Sequence, residues 1–427
     1  MLVDATAMCE ALVGLEEVNI DGVDDRGDGL VVWVSSTNPP PRCVSCGVEH
    51  RLKDRSAVSL TDLACFGRPA CLVWVKRRWK RCCGVGSFTE VDDRIASAGH
   101  KLTTRAGRWA TRQVGQHRRS VASVAKELGT DWHTVNNAVI GWGGALIDAD
   151  TNRVGAVTAV GIDETLFVRR GQWRHKCWAT SIVDVDTGQL IDMVEARTAK
   201  AVIDWFNTEP QAWVQQIRFG VLDMSGPYRK VFNDALGWVI QIADPFHVVR
   251  NANQRVDECR RRVQNATLSH RGRKDDPLYR IRRLLTTAAE RLDVRAESKL
   301  ALRLAQGDPH GEVQWAWEAV RDLYAITSYT DAVEAINELA ELMIDNTFPP
   351  EVNSLGRTLH RWRTQITNWH RRKVSNGPTE GANNMIKLAK RIGFGFRNFR
   401  NYRIRALLYA GRPNWNLLDQ LLPAQIR

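Results

Sequence analysis

The sequence predicts a multi-domain α/β protein, in which a β-rich module, a helix-turn-helix domain and an α/β domain follow one another. Three observations lead to this prediction. Six of the nine cysteines lie between residues 43 and 83, among stretches that alternate apolar and polar residues. Two short amphipathic helices come next, and strand-like apolar runs then alternate with helices. At roughly 100 to 200 residues per domain, 427 residues suffice for two to four domains.

The chain is strongly basic. It has 60 Lys and Arg against 48 Asp and Glu, a net charge of +12. Such a balance favours a polyanionic partner such as nucleic acid, although a solvated basic surface is the alternative. No apolar run approaches the ~20 residues that span a bilayer, and the N-terminus lacks a basic leader with an apolar core. We therefore expect a soluble, cytoplasmic protein.

Residues 1–92 are predicted to form a zinc-ribbon-like β module. Two stretches, Gly29–Ser35 and Cys71–Lys76, alternate as strands do. So short a β unit has little apolar core, and a bound metal would stabilise it.

The ligands of one structural zinc ion would come from two cysteine pairs. Cys43 and Cys46 form a Cys-x-x-Cys pair, and Cys82 with Cys83 would complete a tetrahedral site. Neighbouring side chains on an extended strand point apart, so the adjacency of the second pair is a difficulty. His50 is a substitute ligand, and free, partly buried cysteines are the alternative.

Residues 93–150 are predicted to form a helix-turn-helix domain. In Ser120–Ala138 an apolar stripe leads to Gly129, which permits a tight turn, and Thr130 or Asp131 then caps the next helix. Any small helical hairpin can imitate this pattern. The basic, metal-stabilised module predicted immediately before it favours DNA binding.

The second helix would present four side chains to a DNA groove, and preceding arginines would contact phosphates. The predicted base-facing residues are Trp132, His133, Asn136 and Asn137. The predicted phosphate contacts are Arg118 and Arg119, with Arg105, Arg108 and Arg112 before them.

The catalytic domain is predicted from the order of the next elements. Three strands in succession come first, then helix, strand, helix and strand, so the last two strands should be parallel. This order is that of a ribonuclease-H-like fold. The predicted strands are Val157–Asp163, Cys177–Asp184, Leu190–Glu195, Ile217–Asp223 and Trp238–Ala243, and the predicted helices are 198–208 and 227–236.

The domain would comprise residues 151–249 and 374–412, interrupted by an all-α insertion at 250–373, with a C-terminal tail at 413–427. Tryptophans at helical spacing are more often core residues than base-stacking platforms. Trp369, beside Arg371 and Arg372, is the predicted exception and a DNA contact.

The last predicted helix begins after Asn376, a good cap, and runs to Arg391. At 100° per residue its apolar side chains share one face, which should pack on the sheet. The opposite face comprises Glu380, Asn383, Asn384, Lys387 and Arg391. Of these, Lys387 and Arg391 are suited to the DNA backbone, with a solvated helix face as the alternative.

Three acids should meet at one edge of the sheet. Asp163 and Asp223 end the first and fourth predicted strands, and Glu380 lies on the packed helix. Carboxylates gathered in this way are suited to two Mg²⁺ or Mn²⁺ ions, which activate water or a 3′-hydroxyl for attack at phosphorus. Glu164 should point to the opposite face of its strand, so we leave it out.

Five sequence blocks resemble the signatures of the bacterial insertion-sequence transposases of the ISL-three family. The blocks are Gly161–Glu164, Val221–Ser225, Asp244–Val249, Asn376–Asn384 and Gly395–Phe399. The resemblance implies a DDE transposase with Asp163, Asp223 and Glu380 as its magnesium-binding triad and N-terminal domains that recognise terminal inverted repeats. It implies that Asp244 and His247 belong to the active-site neighbourhood, where His247 would position a phosphate or water, or merely cap a helix.

We therefore expect an enzyme that cleaves DNA at the ends of a mobile element and transfers the strands to a target. Joining two ends suggests a homodimer in the DNA complex, nucleoid-associated when bound to DNA. The alternatives are a DNA-binding derivative without strand-transfer activity and a ribonuclease-H-like nuclease.

Overall fold

The structure is a computed structural model that describes residues 13–15, 18–270, 272–287, 291–318, 328–345 and 348–426. Its internal contacts divide the chain into two compact units. One comprises Met1–Gly155 with Asn384–Arg427, and the other comprises Ala156–Asn383. The first twelve residues of the predicted N-terminal module lie outside the described residues.

The N-terminal module is a five-stranded sheet in the order β1-β2-β4-β3, with β5 paired to β4. The two strands predicted from alternation are found as β2 and β4. Their inward positions supply Val34, Leu72 and Trp74 to a small core. The strands are β1 (Val18–Asp25), β2 (Leu30–Ser36), β3 (Arg51–Cys65), β4 (Arg68–Lys80) and β5 (Ser87–Thr89).

The helix-turn-helix pattern is confirmed. Ser120 caps its helix by accepting from the Ser123 N–H, and Asp131 caps the next by accepting from the Thr134 N–H. Gly129 closes the turn at φ +66°, a conformation that favours glycine. The helices are α1 (Thr104–Gly115), α2 (Val121–Leu128) and α3 (Trp132–Ala149).

The second unit contains a five-stranded sheet in the order β10-β9-β6-β7-β8. The strands β6, β7 and β8 are antiparallel, whereas β9 pairs in parallel with both β6 and β10. The order of strands and helices along the chain and the parallel pairing of the last two strands are as predicted. The elements are β6 (Ala159–Arg170), β7 (His175–Asp184), β8 (Gln189–Val194), α4 (Ala199–Thr208), α5 (Gln211–Val214), β9 (Phe219–Leu222), α6 (Gly226–Ala235) and β10 (Ile240–Ala243).

The first of these strands is longer than predicted. It does not end at Asp163 but continues to Arg170, because the residues after Asp163 pair with the first half of β7. Its pairing with β9 extends only from Ala159 to Gly161. Asp163 therefore lies two residues past the part of β6 that pairs with β9, although it is in the middle of β6.

Every described secondary-structure element from residue 245 to residue 373 is helical, as predicted for the insertion. Trp362 is buried, whereas Trp315 is half exposed and packs its ring 4.4 Å from that of Phe348. The helices are α7 (Pro245–Leu268), α8 (Pro277–Arg280), α9 (Val294–Gly307), α10 (Glu312–Glu318), α11 (Tyr329–Ile344) and α12 (Pro350–Thr367), and a 3₁₀ turn follows at Asn368–His370.

Two helices complete the chain, α13 (Gly377–Ile392) and α14 (Phe399–Ala410). Ile404 and Leu408 of α14 share an apolar core with Val135 and Val139 of α3. Trp415, from the predicted C-terminal tail, packs against the same core. Among the described residues, no helix has the length and apolar character needed to cross a membrane.

Candidate active site

Four acids and one histidine of the second unit lie at one edge of its sheet. Asp223 follows β9 directly, and Asp244 follows β10 directly. Because β9 and β10 are parallel, their carboxyl ends meet at the same edge. Asp163 of β6 and Glu380 of the first turn of α13 join them there.

His247 lies among these acids. Its Nε2 atom is 3.0 Å from Oδ2 of Asp223, 3.8 Å from Oε1 of Glu380 and 3.9 Å from Oδ2 of Asp244. Asp244 occupies the N-cap position of α7, so His247 does not cap this helix. A ring nitrogen close to three carboxylates can help to fix their relative positions.

Asn376 connects two of the acids. Its Nδ2 atom donates to Oδ1 of Asp223 at 2.5 Å, and its backbone N–H donates to Oδ1 of Asp244 at 3.1 Å. The side chain is fully buried. The sequence predicted only a helix cap at this position, and its contact with Asp223 could not be read from a local pattern.

Asn383 corrects one prediction. It was placed on the outward face of the last helix, but it is 1% exposed. Its Nδ2 atom donates to Oδ2 of Asp163 at 2.6 Å, and its Oδ1 accepts from the Ser181 hydroxyl at 2.8 Å. It lies one turn after Glu380 on α13, and it fixes the first acid from within the structure.

Burial raises the pKa values of two of these acids, and neighbouring charges modify the shift. Burial raises the pKa of Asp223 to about 6, which the proximity of His247 opposes and the negative charge of Asp163 reinforces. Burial likewise raises the pKa of Asp244. A bound cation would favour the ionised form of both carboxylates and offset their desolvation and mutual repulsion.

The donor atoms fit a divalent cation that prefers oxygen ligands. Carboxylate oxygens of Asp223 and Asp244 and a ring nitrogen of His247 all lie within 4.8 Å of one another. Asp163 acts on Asp223 through its charge, and Glu380 reaches the same histidine. Carboxylate-rich sets of this kind hold Mg²⁺ or Mn²⁺.

The helix that carries Glu380 is pressed closely against the strand that carries Asp163. A Cβ atom added to Gly161 would lie 2.1 Å from Oγ1 of Thr379 and 3.0 Å from Oδ1 of Asn376. Thr379 and Asn376 are both fully buried. Only glycine allows this approach, so Gly161 helps to place Glu380 at the edge of the sheet.

The four predicted zinc ligands of the N-terminal module are brought together. The sulfur atoms of Cys43, Cys46, Cys82 and Cys83 all lie within 4.8 Å of one another. The expectation that adjacent cysteines point apart is wrong here, because β4 ends at Lys80 and the chain then turns. Gly84 and Gly86 permit that turn with φ values of +99° and +113°.

The thiols of this cluster differ in their affinity for protons. The backbone N–H groups of Ser45 and Cys46 lower the pKa of Cys43 to about 6. Hydrogen bonding to Cys46 and Cys43 raises the pKa of Cys83 to about 12. His50 is not one of the four ligands, and its Nδ1 atom instead accepts from the Cys82 N–H at 3.4 Å. The four sulfurs could hold a metal ion.

The predicted base-facing residues of α3 divide into two groups. Trp132, His133 and Asn137 are exposed. Asn136 was predicted to face outward, but it is 6% exposed. It shares a buried face of α3 with Ile140, one turn further along the helix. Asn136 is therefore not positioned to contact bases in a DNA groove.

Most of the predicted phosphate-binding arginines near α1 make contacts within the protein. Arg105 pairs with Asp62, and Arg119 pairs with Glu127. Arg108 donates to the Leu421 carbonyl, and Arg112 donates to the Trp415 carbonyl and Asp419. Arg118 is exposed.

The remaining predicted DNA contacts also differ in surroundings. Arg372 pairs with Asp186 and lies over the Phe219 ring at 4.6 Å, so it serves the packing of the second unit. Arg371 is exposed and lies over the Tyr329 ring at 4.2 Å, and Trp369 is half-buried. Lys387 and Arg391 are exposed on α13.

Comparisons with known proteins give the following matches. A family profile described as transposase matches residues 160–406, and a profile of the helix-turn-helix domain of transposase family ISL3 matches residues 94–141. A transposase for insertion sequence element IS1557 from Mycobacterium tuberculosis is 26% identical over 417 residues, which cover 88% of this chain and 87% of that protein.

Two further matches are more limited. An ATP-dependent protease of Lactococcus lactis is 33% identical over 121 residues, and the chain spans only 36% of its length. A solved structure of the Drosophila P element transposase strand transfer complex aligns with a TM-score of 0.40 and 9% identity, covering 74% of this chain and 93% of that one.

Proposed function

The chain belongs to transposase family ISL3, and from this membership we propose that Asp163, Asp223 and Glu380 are the metal-binding acids of a DDE transposase. A transposase of this family binds DNA, cleaves it and transfers its strands. We propose that the DNA bound here is the terminal inverted repeats of an insertion sequence, together with target DNA.

The gathering of acids at one edge of the sheet is the observation that supports the proposal most directly. Three antiparallel strands followed by two parallel ones form the order of a ribonuclease-H-like fold. Asp163, Asp223 and Glu380 reach the same edge from β6, β9 and α13. Crowded carboxylates destabilise a fold unless a cation compensates them, so their grouping supports a catalytic role.

When bound, two Mg²⁺ or Mn²⁺ ions would activate a water or 3′-hydroxyl and neutralise the leaving oxygen at the phosphorus centre. The residues of the chain orient the acids for that purpose. Asn383 fixes Asp163, and Asn376 fixes Asp223 and Asp244. The Nε2 atom of His247 faces Asp223, Asp244 and Glu380, so we propose that His247 helps to position these acids.

We propose a role for each domain that was predicted from the sequence. Residues 1–92 and 93–150 bind DNA, residues 151–249 with 374–412 form the catalytic domain, and residues 250–373 are an insertion within it. Strand transfer joins two DNA ends, so we propose that two copies of the chain act together in the DNA complex. The alternative of a DNA-binding derivative without chemistry is not favoured, because all three acids are present.

The experiment that tests this function uses the full-length protein and a duplex that carries the ends of its own element. We expect cleavage and strand transfer with Mg²⁺ or Mn²⁺, and none when EDTA removes the metal, with products resolved on a denaturing gel. Cleavage that persists in EDTA would contradict a metal-dependent mechanism.

We also propose that the four clustered cysteines bind one structural zinc ion. Metal analysis of the full-length protein should find about one zinc per chain. Cys46→Ser removes one of the four sulfurs and should lower both the zinc content and the Tm. Cys65→Ser is the control, because Cys65 ends β3 and is not one of the clustered cysteines. A folded wild-type protein without zinc would refute the site.

A further inference from the structure

The hairpin between β6 and β7 ends in an exposed tryptophan. Residues 169–176 are all exposed, and Trp173 at the tip is 80% exposed. The turn is closed by a hydrogen bond from the Arg174 N–H to the Gly171 carbonyl at 3.0 Å. An indole ring held in solvent by a short, closed turn gains nothing for the fold and is available to a partner.

The tip is also strongly basic. Its eight residues contain Arg169, Arg170, Arg174 and Lys176, with His175 among them and no acid. Arg170 lies 3.4 Å from Glu195 in an exposed ion pair. Within the described part of the chain, no ion pair is found for Arg169, Arg174 or Lys176. A protein partner with an apolar pocket would have to dehydrate these cations, whereas a polyanion would neutralise them.

The same two strands connect this tip to the candidate active site. Asp163 and Arg170 lie on one continuous strand, seven residues apart. At roughly 3.3 Å per residue the separation is about 23 Å, or about seven base pairs of DNA. The acids near the start of β6 repel phosphates, so cations elsewhere must hold the DNA that is to be cleaved.

We propose that the hairpin 169–176 is a DNA contact in which Arg169, Arg174 and Lys176 bind phosphates and Trp173 stacks on an unpaired base. Every base has a π-face, so a flat aromatic ring amid cations recognises single-stranded DNA without reading its sequence. Unpaired bases arise where strands are cut and exchanged. The inference thus rests on the proposed function and adds to it a site about two-thirds of a helical turn from the acids.

The test compares DNA binding by the full-length protein and its variants. The probes are a blunt duplex of arbitrary sequence and the same duplex extended by a short single strand, and fluorescence anisotropy gives the Kd. Trp173→Ala should weaken binding to the extended duplex at least about fivefold, the equivalent of weak base stacking. Binding to the blunt duplex should be unchanged. Trp173→Phe keeps an aromatic face and should restore most of the loss.

The cations are tested separately through the salt dependence of binding. Arg169→Ala with Lys176→Ala removes one Arg and one Lys, so the slope of log Kd against log salt should fall by roughly 2. The matched control is Arg295→Ala with Lys299→Ala, which removes the same two residue types from exposed positions on α9. This control should keep the wild-type slope.

Three results would overturn the proposal. They are wild-type affinity of Trp173→Ala for the extended duplex, equal slopes for the two double variants, and no preference of the wild type for the extended duplex. These measurements concern binding alone. A wild-type protein that binds in this way but does not cleave would refute the proposed function and leave the hairpin contact standing.

Discussion

Asp223→Asn is expected to slow DNA cleavage roughly a thousandfold or more, while binding to the element ends stays close to wild type. Metal ions supply several kcal/mol of transition-state stabilisation, and a loss of about 4 kcal/mol corresponds to that factor. The substitution removes the negative charge that would hold the metal. It keeps the size of the side chain and an oxygen that can accept from Nδ2 of Asn376.

The fold should survive this change. Burial and the neighbouring Asp163 already raise the pKa of Asp223, so an uncharged amide suits the metal-free site at least as well as the carboxylate. The measurements are strand cleavage on a denaturing gel, DNA binding by anisotropy and Tm. Asp204→Asn is the control, since Asp204 is an exposed acid on α4 that pairs only with Lys200 among the described residues. Cleavage by Asp223→Asn at the rate of this control would remove Asp223 from the proposed triad.

Gly161→Ala is expected to lower both stability and cleavage. The new Cβ atom would lie 2.1 Å from Oγ1 of Thr379, so β6 and α13 would have to separate. Overpacking of this kind costs about 1–3 kcal/mol, which lowers the Tm by several degrees in a unit of this size. The separation also displaces Glu380, the next residue after Thr379, so cleavage should fall further than stability alone explains.

A second substitution tests the cause. Thr379→Ala removes the hydroxyl group that the new methyl group would meet, so the double variant should regain much of the Tm lost by Gly161→Ala. Gly381→Ala is the matched control on the same helix, because a Cβ atom there would meet nothing within 4 Å. We expect it to be neutral or stabilising through helix propensity. A wild-type Tm for Gly161→Ala, or no recovery in the double variant, would exclude the close contact as the cause.

Local sequence patterns were sufficient to predict the order of the strands and helices along the chain. Apolar runs and the turn chemistry of Asp186–Gly188 identified all five strands of the second unit. The turn at Gly129 and the helix cap at Asp131 were also predicted correctly, because such signals act over only a few residues. The prediction of an apolar face on α13 was also correct, since Ala382 and Ile386 are buried. These features depend on periodicity, which a single sequence displays directly.

Contacts between distant residues could not be predicted in this way. Asn383 lies on a polar stripe by its spacing, yet it is buried because Asp163 and Ser181 supply polar partners inside the structure. Asn376 similarly donates a hydrogen bond to Asp223, which lies 153 residues earlier in the chain. The length of β6 was missed because the two acids Asp163 and Glu164 suggest the end of a strand, whereas the residues that follow continue it by pairing with β7.

The position of α13 in the chain determines when the residues of the candidate site are synthesised. Asn376, Glu380 and Asn383 all lie in the last eighth of the 427 residues and are the last of the site to be synthesised. A nascent chain that ends before residue 376 carries Asp163 and Asp223 without the amides that hold them or the third acid. If these acids form the proposed triad, a fragment that ends before residue 376 would be unable to cut DNA.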